Sequence, residues 1–160
     1  MQDPLERQIA WLEARGLPSE GIARLDETEF RLIREVGELY PGVPETLACL
    51  RELGHTLVMC TNGREVYARA VLEPRGLLGL FAEVRARRPE DADKAGMVAD
   101  LLSRIPHERA MVVGDRYHDI AAARANGCVA VAATYGYARP GELALADHLI
   151  SAFPELAALI

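Results

Sequence analysis

Apolar positions along these 160 residues follow two rhythms, and the change from one to the other falls near residue 40. Before it the spacing is helical. Leu5, Ile9 and Leu12 follow Asp3-Pro4-Leu5-Glu6, which reads as an N-cap, a first-position proline and a capping-box glutamate, and Gly16 with Pro18 closes the run. Leu25, Leu32, Ile33, Val36 and Leu39 repeat at three- and four-residue intervals with Glu29 on the same stripe, predicting a second helix over 26–39 that Asp26 and Glu29 would open as a capping box. Pro41-Gly42-Val43-Pro44 is a turn, and a helix through Leu47, Leu50 and Leu53 ends at Gly54.

Beyond that point short apolar runs alternate with helical stretches. The pattern predicts strands at 55–61, 81–85, 110–113 and 128–134 and a last apolar piece at 148–150. Helices are expected over 64–72, 93–105, 118–126, 140–146 and 153–160, with Gly and Pro at most of the junctions. Strands separated by helices of this length make crossover units. The fold expected is therefore α/β, a three-layer, Rossmann-like, mostly parallel sheet with helices on both faces.

Composition narrows the setting. The length suits one well-buried domain, half of the residues are hydrophobic, and the net charge is −6, which speaks against a non-specific nucleic-acid binder. Neither a membrane span nor an apolar signal core is evident, so a cytoplasmic protein is expected. Cys49, Cys60 and Cys128, an odd and widely spaced set among apolar neighbours, read as small core residues in a reducing compartment. The basic residues hold one further clue. Lys and Arg total 18, yet Lys94 is the only lysine.

Three places carry candidate chemistry. In Met-Val-Val-Gly-Asp-Arg-Tyr-His-Asp, residues 111–119, a buried strand ends in a tight turn that leaves Asp115 at its carboxyl end and Asp119 in the first turn of the next helix. Two converging carboxylates suit a hard cation such as magnesium; the alternative is that Asp115 caps the helix and Asp119 complements its dipole. Thr61, with Asn62 and Gly63 after it, closes a strand where a hydroxyl and backbone amides can meet an anion, although Thr-Asn-Gly is also an ordinary turn. Lys94 opens a helix, where the dipole disfavours a cation, and is either a solvated surface lysine or a group held there for its charge. Taken together, the threonine loop would hold a phosphoryl oxygen, the lysine would neutralise it, and the acids would hold magnesium.

Tyr40-Pro41-Gly42-Val43, Cys60-Thr61-Asn62-Gly63, Lys94, Gly114-Asp115-Arg116-Tyr117-His118-Asp119 and Thr134-Tyr135-Gly136-Tyr137 occur in an order that resembles the haloacid dehalogenase-like hydrolases, nearest the phosphoglycolate phosphatase-like branch. The resemblance covers about residues 39–160. It implies catalytic roles for Thr61 and Lys94, phosphate binding by Thr61, Asn62, Gly63 and Lys94, and a Mg2+ site at Asp115 and Asp119. The activity it implies is hydrolysis of a small phosphorylated metabolite. Residues 1–39 look like the last helices of the family's cap, and residues 40–160 like its core.

The departure is at the front. Family members begin with a central strand ending in Asp-x-Asp, which supplies the nucleophile, and no such strand is read here. Asp26-Glu27-Thr28-Glu29 loosely resembles the Asp-Lys-Thr variant of ion-pumping relatives, but the residues before it are too short and mixed for a central strand. Truncation, a misplaced start codon or gene decay would account for the loss. The strands ending at Thr61 and Asp115 are then expected either to pair directly or to receive a segment from another chain, as in a homodimer that completes the sheet. Turnover is expected to be weak or absent. The alternative function is a non-catalytic phosphate-binding or protein-interaction domain; a dehalogenase fits less well, because those relatives do not need the magnesium acids.

Overall fold

The computed structural model describes residues 10–16 and 20–160, the side chains of residues 20–26 excepted. Helix α1 runs Glu20–Glu35, α2 Val43–Glu52, β1 Val58–Thr61, α3 Glu65–Leu72 and β2 Glu83–Ala86. Then come α4 at Lys94–Arg104, β3 at Met111–Gly114, α5 at Tyr117–Ala125, β4 at Val129–Ala133 and β5 at His148–Ile150, with a closing 3-10 helix at Phe153–Leu159. The alternation expected from the apolar pattern is there, and every strand pair is parallel.

Period-two side-chain placement explains why helices cover both faces. On β3 and β4, Val112, Ala130 and Ala132 join Ile120, Ala122 and Val98 on the face covered by α4 and α5. Met111, Val113, Val131 and Ala133 point the other way, to Leu50 of α2 and Leu156 of the closing 3-10 helix. β1 divides in the same manner: Cys60 packs on the first cluster, while Met59 packs with Leu47, Leu72 and Leu77 on the second side.

The sheet is not continuous. β1 pairs with β2, and β3, β4 and β5 form a separate three-stranded sheet in that order. Direct pairing of β1 with β3, one of the two arrangements expected from the sequence, does not occur among the described residues. All eight residues of those two strands are only half-buried, whereas Ala130–Ala133 of β4 are buried. The halves are joined through the helix layer, where α4 contacts both β1 and α5.

Several boundaries correct the sequence reading. The helix expected to open at Asp26 begins at Glu20 and stops at Glu35, so residue 26 lies inside α1, and neither the capping box nor a strand-end nucleophile stands there. Pro140 to Ala146 is a series of turns instead of a helix. Gly141 adopts φ 85°, and the bonds Ala144 N to Gly141 O and Ala146 N to Leu143 O close three-residue steps. The terminal segment is 3-10 in its hydrogen bonding, and Cys49 is exposed, contrary to its reading as a core residue. Of the helix expected from Asp3 to Gly16, residues 10–13 are helical and the start lies outside the described residues. No helix among the described residues is long and apolar enough to cross a membrane.

Candidate functional site

The carboxyl ends of β1 and β3 and the first turns of α4 and α5 converge on one ion pair. Lys94 Nζ donates to Asp119 Oδ1 at 2.5 Å, with the two side chains only 12% and 8% exposed. Lys94 is the first residue of α4, whose N-cap is Asp93; Asp93 Oδ1 accepts from Gly96 N at 2.8 Å, which satisfies one of the helix's orphan donors. Asp119 stands at the third position of α5 and also accepts from Arg116 N through Oδ2 at 3.0 Å. The dipole-complementing role considered for Asp119 is therefore real, and the same carboxylate carries the ion pair as well.

Asp115 behaves differently. It does not cap α5, since Arg116 is the N-cap; its Oδ2 accepts from Tyr137 N at 2.6 Å, across from the loop that follows β4. Two glycines make this arrangement fit. A Cβ at Gly114 would fall far inside van der Waals contact with the Asp119 carboxylate, and one at Gly136 would do the same to Asp115. Each acid thus lies in a cradle open only because a side chain is absent. The run from Thr134 to Tyr137 signals this to sequence reasoning only through its order after the acids, since no local pattern announces a hydrogen bond across 22 residues.

Thr61 ends β1, and its Oγ1 accepts from Gly63 N at 3.0 Å, so the Thr61-Asn62-Gly63 loop closes on itself as a hydroxyl turn. No hydrogen bond joins these three residues to Lys94 or to the acids among the described residues. Cys60, one residue before Thr61, packs in one cluster with Ala95, which follows Lys94, and Ile120, which follows Asp119. Burial pushes the Cys60 thiol up, and a protonated thiol there is a poor nucleophile.

An ion pair and a ring contact tie the neighbouring loops. Arg116 forms a two-pronged pair with Glu142, at 2.9 and 3.3 Å, and the Arg116 guanidinium holds the Glu142 carboxyl down at about 2. Tyr40 stacks edge-on against Tyr135, with ring centroids 4.8 Å apart.

For a cation, the donors on offer are the two carboxylates. Asp115 Oδ1 has no hydrogen-bond partner among the described residues, which leaves an oxygen for a hard ion. No group of three or more metal-ligating His, Cys, Asp or Glu gathers among the described residues. Two carboxylates, with water and phosphate supplying the rest, is a set that suits magnesium better than zinc.

A family model described as haloacid dehalogenase-like hydrolase matches residues 3–127. The chain belongs to the haloacid dehalogenase-like hydrolases. Within that family it is 34% identical over 127 residues to a phosphoglycolate phosphatase of Aliivibrio fischeri, an alignment covering 72% of this chain and 52% of the relative. It is 40% identical over 123 residues to a phosphoglycolate phosphatase of Chromobacterium violaceum, covering 74% and 54%. The chain thus spans about half the length of these curated relatives. Among solved structures, CbbY from Rhodobacter sphaeroides in complex with phosphate superposes with a TM-score of 0.72 at 27% identity, over 88% of this chain and 66% of that one. A protein from Haemophilus somnus described as a predicted phosphoglycolate phosphatase has the same fold, with a TM-score of 0.77 at 24% identity and coverage of 97% and 75%. These likenesses place the chain in the phosphoglycolate phosphatase-like branch of the haloacid dehalogenase-like hydrolases.

Proposed function

We propose that the site is a magnesium-dependent phosphate-monoester site for a small phosphorylated metabolite in the cytoplasm, complete in its anion and metal parts and lacking its nucleophile. The observation that carries this reading is the Lys94–Asp119 ion pair, held beside the glycine-cradled Asp115. Asp115 and Asp119 would hold Mg2+, which when bound supplies positive charge to a phosphoryl oxygen and to the leaving group. Lys94, paired with Asp119 here, would turn its ammonium to a bound phosphate and leave the Asp119 carboxylate free to hold the ion. Thr61 donates its hydroxyl, and Asn62 with the amide of Gly63 closes over the remaining oxygen once the Thr61–Gly63 hydrogen bond opens.

Phosphoryl transfer through an acyl phosphate needs a carboxylate at the phosphorus. The residues supporting its absence are those of α1, where residue 26 sits inside a helix, and the open edges of β1 and β3. On this reading residues 1–39 are a cap remnant and residues 40–160 the core, and a second copy is the partner proposed to complete the sheet. The same two observations favour a second reading, a phosphate-binding or protein-interaction domain without turnover.

With p-nitrophenyl phosphate and Mg2+ the chain is expected to turn over poorly or not at all, while binding inorganic phosphate in a manner that Lys94→Met abolishes. Magnesium-dependent turnover that survives Asp26→Asn and dies with Asp115→Asn would show that a nucleophile exists elsewhere.

A further inference from the structure

Arg85 is the most deeply buried charge in β2, at 4% exposed, and nothing in the proposed chemistry uses it. We propose that Arg85 and Asp91 are positioning residues that clamp the loop before α4 and so hold Lys94 at the site. The inference rests on Lys94 being the anion-binding cation of that site.

A guanidinium removed from water is costly unless it is paired. Every nitrogen of Arg85 has a partner: Nη1 and Nη2 grip the two oxygens of Asp91 at 2.9 and 2.6 Å, Nε reaches Asp100 Oδ2 at 3.3 Å, and Nη1 also meets Ala86 O. Asp91 lies in the connection between β2 and α4, and its Oδ2 additionally accepts from Arg88 N at 2.6 Å. Arg87 reinforces the same turn from outside, donating to Ala92 O at 3.0 Å and Asp91 O at 3.4 Å. Both ends of the loop are therefore fixed to β2, and two residues past Asp91 comes the Asp93 cap, then Lys94.

Such a clamp has a reason to exist. The helix dipole repels a cation at the first helical position, and a lysine side chain loses rotamer entropy when held in one pose. A loop free to shift by an ångström would let Lys94 swing to solvent. The clamp also lies one strand from the site, because Arg85 stands in register with Cys60, the residue before Thr61, on the parallel β1–β2 pair. A general bracing role falls instead to the outer half of the network, where Arg104 pairs with Glu83 at 2.8 and 2.9 Å and with Asp100 at 3.0 Å, tying α4 to β2 without touching the loop.

The single lysine makes the test direct. Protein grown on 13C-lysine gives one Lys94 Cε cross-peak, which reports the ammonium's surroundings, and calorimetry with inorganic phosphate reports anion affinity. In Asp91→Asn the cross-peak is expected to move toward the position of a solvated lysine and phosphate affinity to fall about tenfold, the scale on which partners behind a ligand act in metal sites. Arg104→Met, which cuts only the outer half, should leave both within twofold despite any fall in melting temperature. Arg87→Met is exposed and tolerable to folding, and it should move the peak in the same direction by less; it carries the test if Asp91→Asn does not fold. An unmoved cross-peak in Asp91→Asn and Arg87→Met overturns the proposal, as does an equal displacement in Arg104→Met. If the unaltered protein binds no phosphate yet the peak still moves in Asp91→Asn, the clamp stands and the phosphate reading falls.

Discussion

At the level of single residues, Lys94 was legible because it breaks a local rule, a cation at the start of a helix, and the acids through their spacing after an apolar strand, although Asp119 in the first turn of α5 also obeys one. The Lys94–Asp119 pair gives a reason for two of the three. Residues that only obey local rules stayed silent. Gly136 reads as one more turn glycine, and only the folded chain brings it against Asp115. Replacing Gly136 with Ala should therefore displace the acid, lowering stability by about 1–3 kcal/mol as overpacking does. Magnesium affinity should drop with it, both measurable by calorimetry; an unchanged Mg2+ titration would show that Asp115 does not need the cradle. Arg85 was equally silent, since an arginine flanked by apolar residues in a short strand is indistinguishable in sequence from one that points outward.

Among elements, the regular alternation after residue 55 was readable and the less regular pieces were not. The periodicity of α1 extends upstream through Leu25 and Ile22, so a plausible capping pair at Asp26 and Glu29 could not stop the helix from starting at Glu20. After Pro140, Gly141 in the left-handed region breaks what composition suggested was a helix, and the turns that result put Glu142 beside Arg116. That pair has a pH signature. The guanidinium lowers the folded carboxyl of Glu142 to about 2, against about 4.3 for an unfolded glutamate. Its contribution is therefore fully present above the unfolded value and lost as pH falls from there toward 2. Melting temperature should fall more steeply across that window in the unaltered protein than in Glu142→Gln, by scanning calorimetry at stepped pH; parallel slopes would mean the pair contributes nothing.

Taken whole, the molecule was legible as a parallel α/β fold, and what the sequence could not settle was how the strands ending at Thr61 and Asp115 would meet. Hydrophobic pattern fixes which face a strand buries, and it is blind to whether a neighbour stands beside it. The open edges of β1 and β3 leave two half-sheets coupled by α4 and α5 on one face, by α2 and the closing 3-10 helix on the other, and by the Lys94–Asp119 ion pair at their mouth. Lys94 follows β2 in the chain and Asp119 follows β3, so the pair joins residues that come after strands of different half-sheets. The ion pair is thus a charged tie at the seam between the two half-sheets. Lys94→Met should loosen the tie, so that hydrogen exchange in β1 and β2 speeds up while β4 stays protected; unchanged protection in both would show that the helices alone hold the half-sheets together. Anything that competes for Asp119, a divalent ion first among them, would then act on how firmly the two half-sheets are tied as well as on the charge at their mouth.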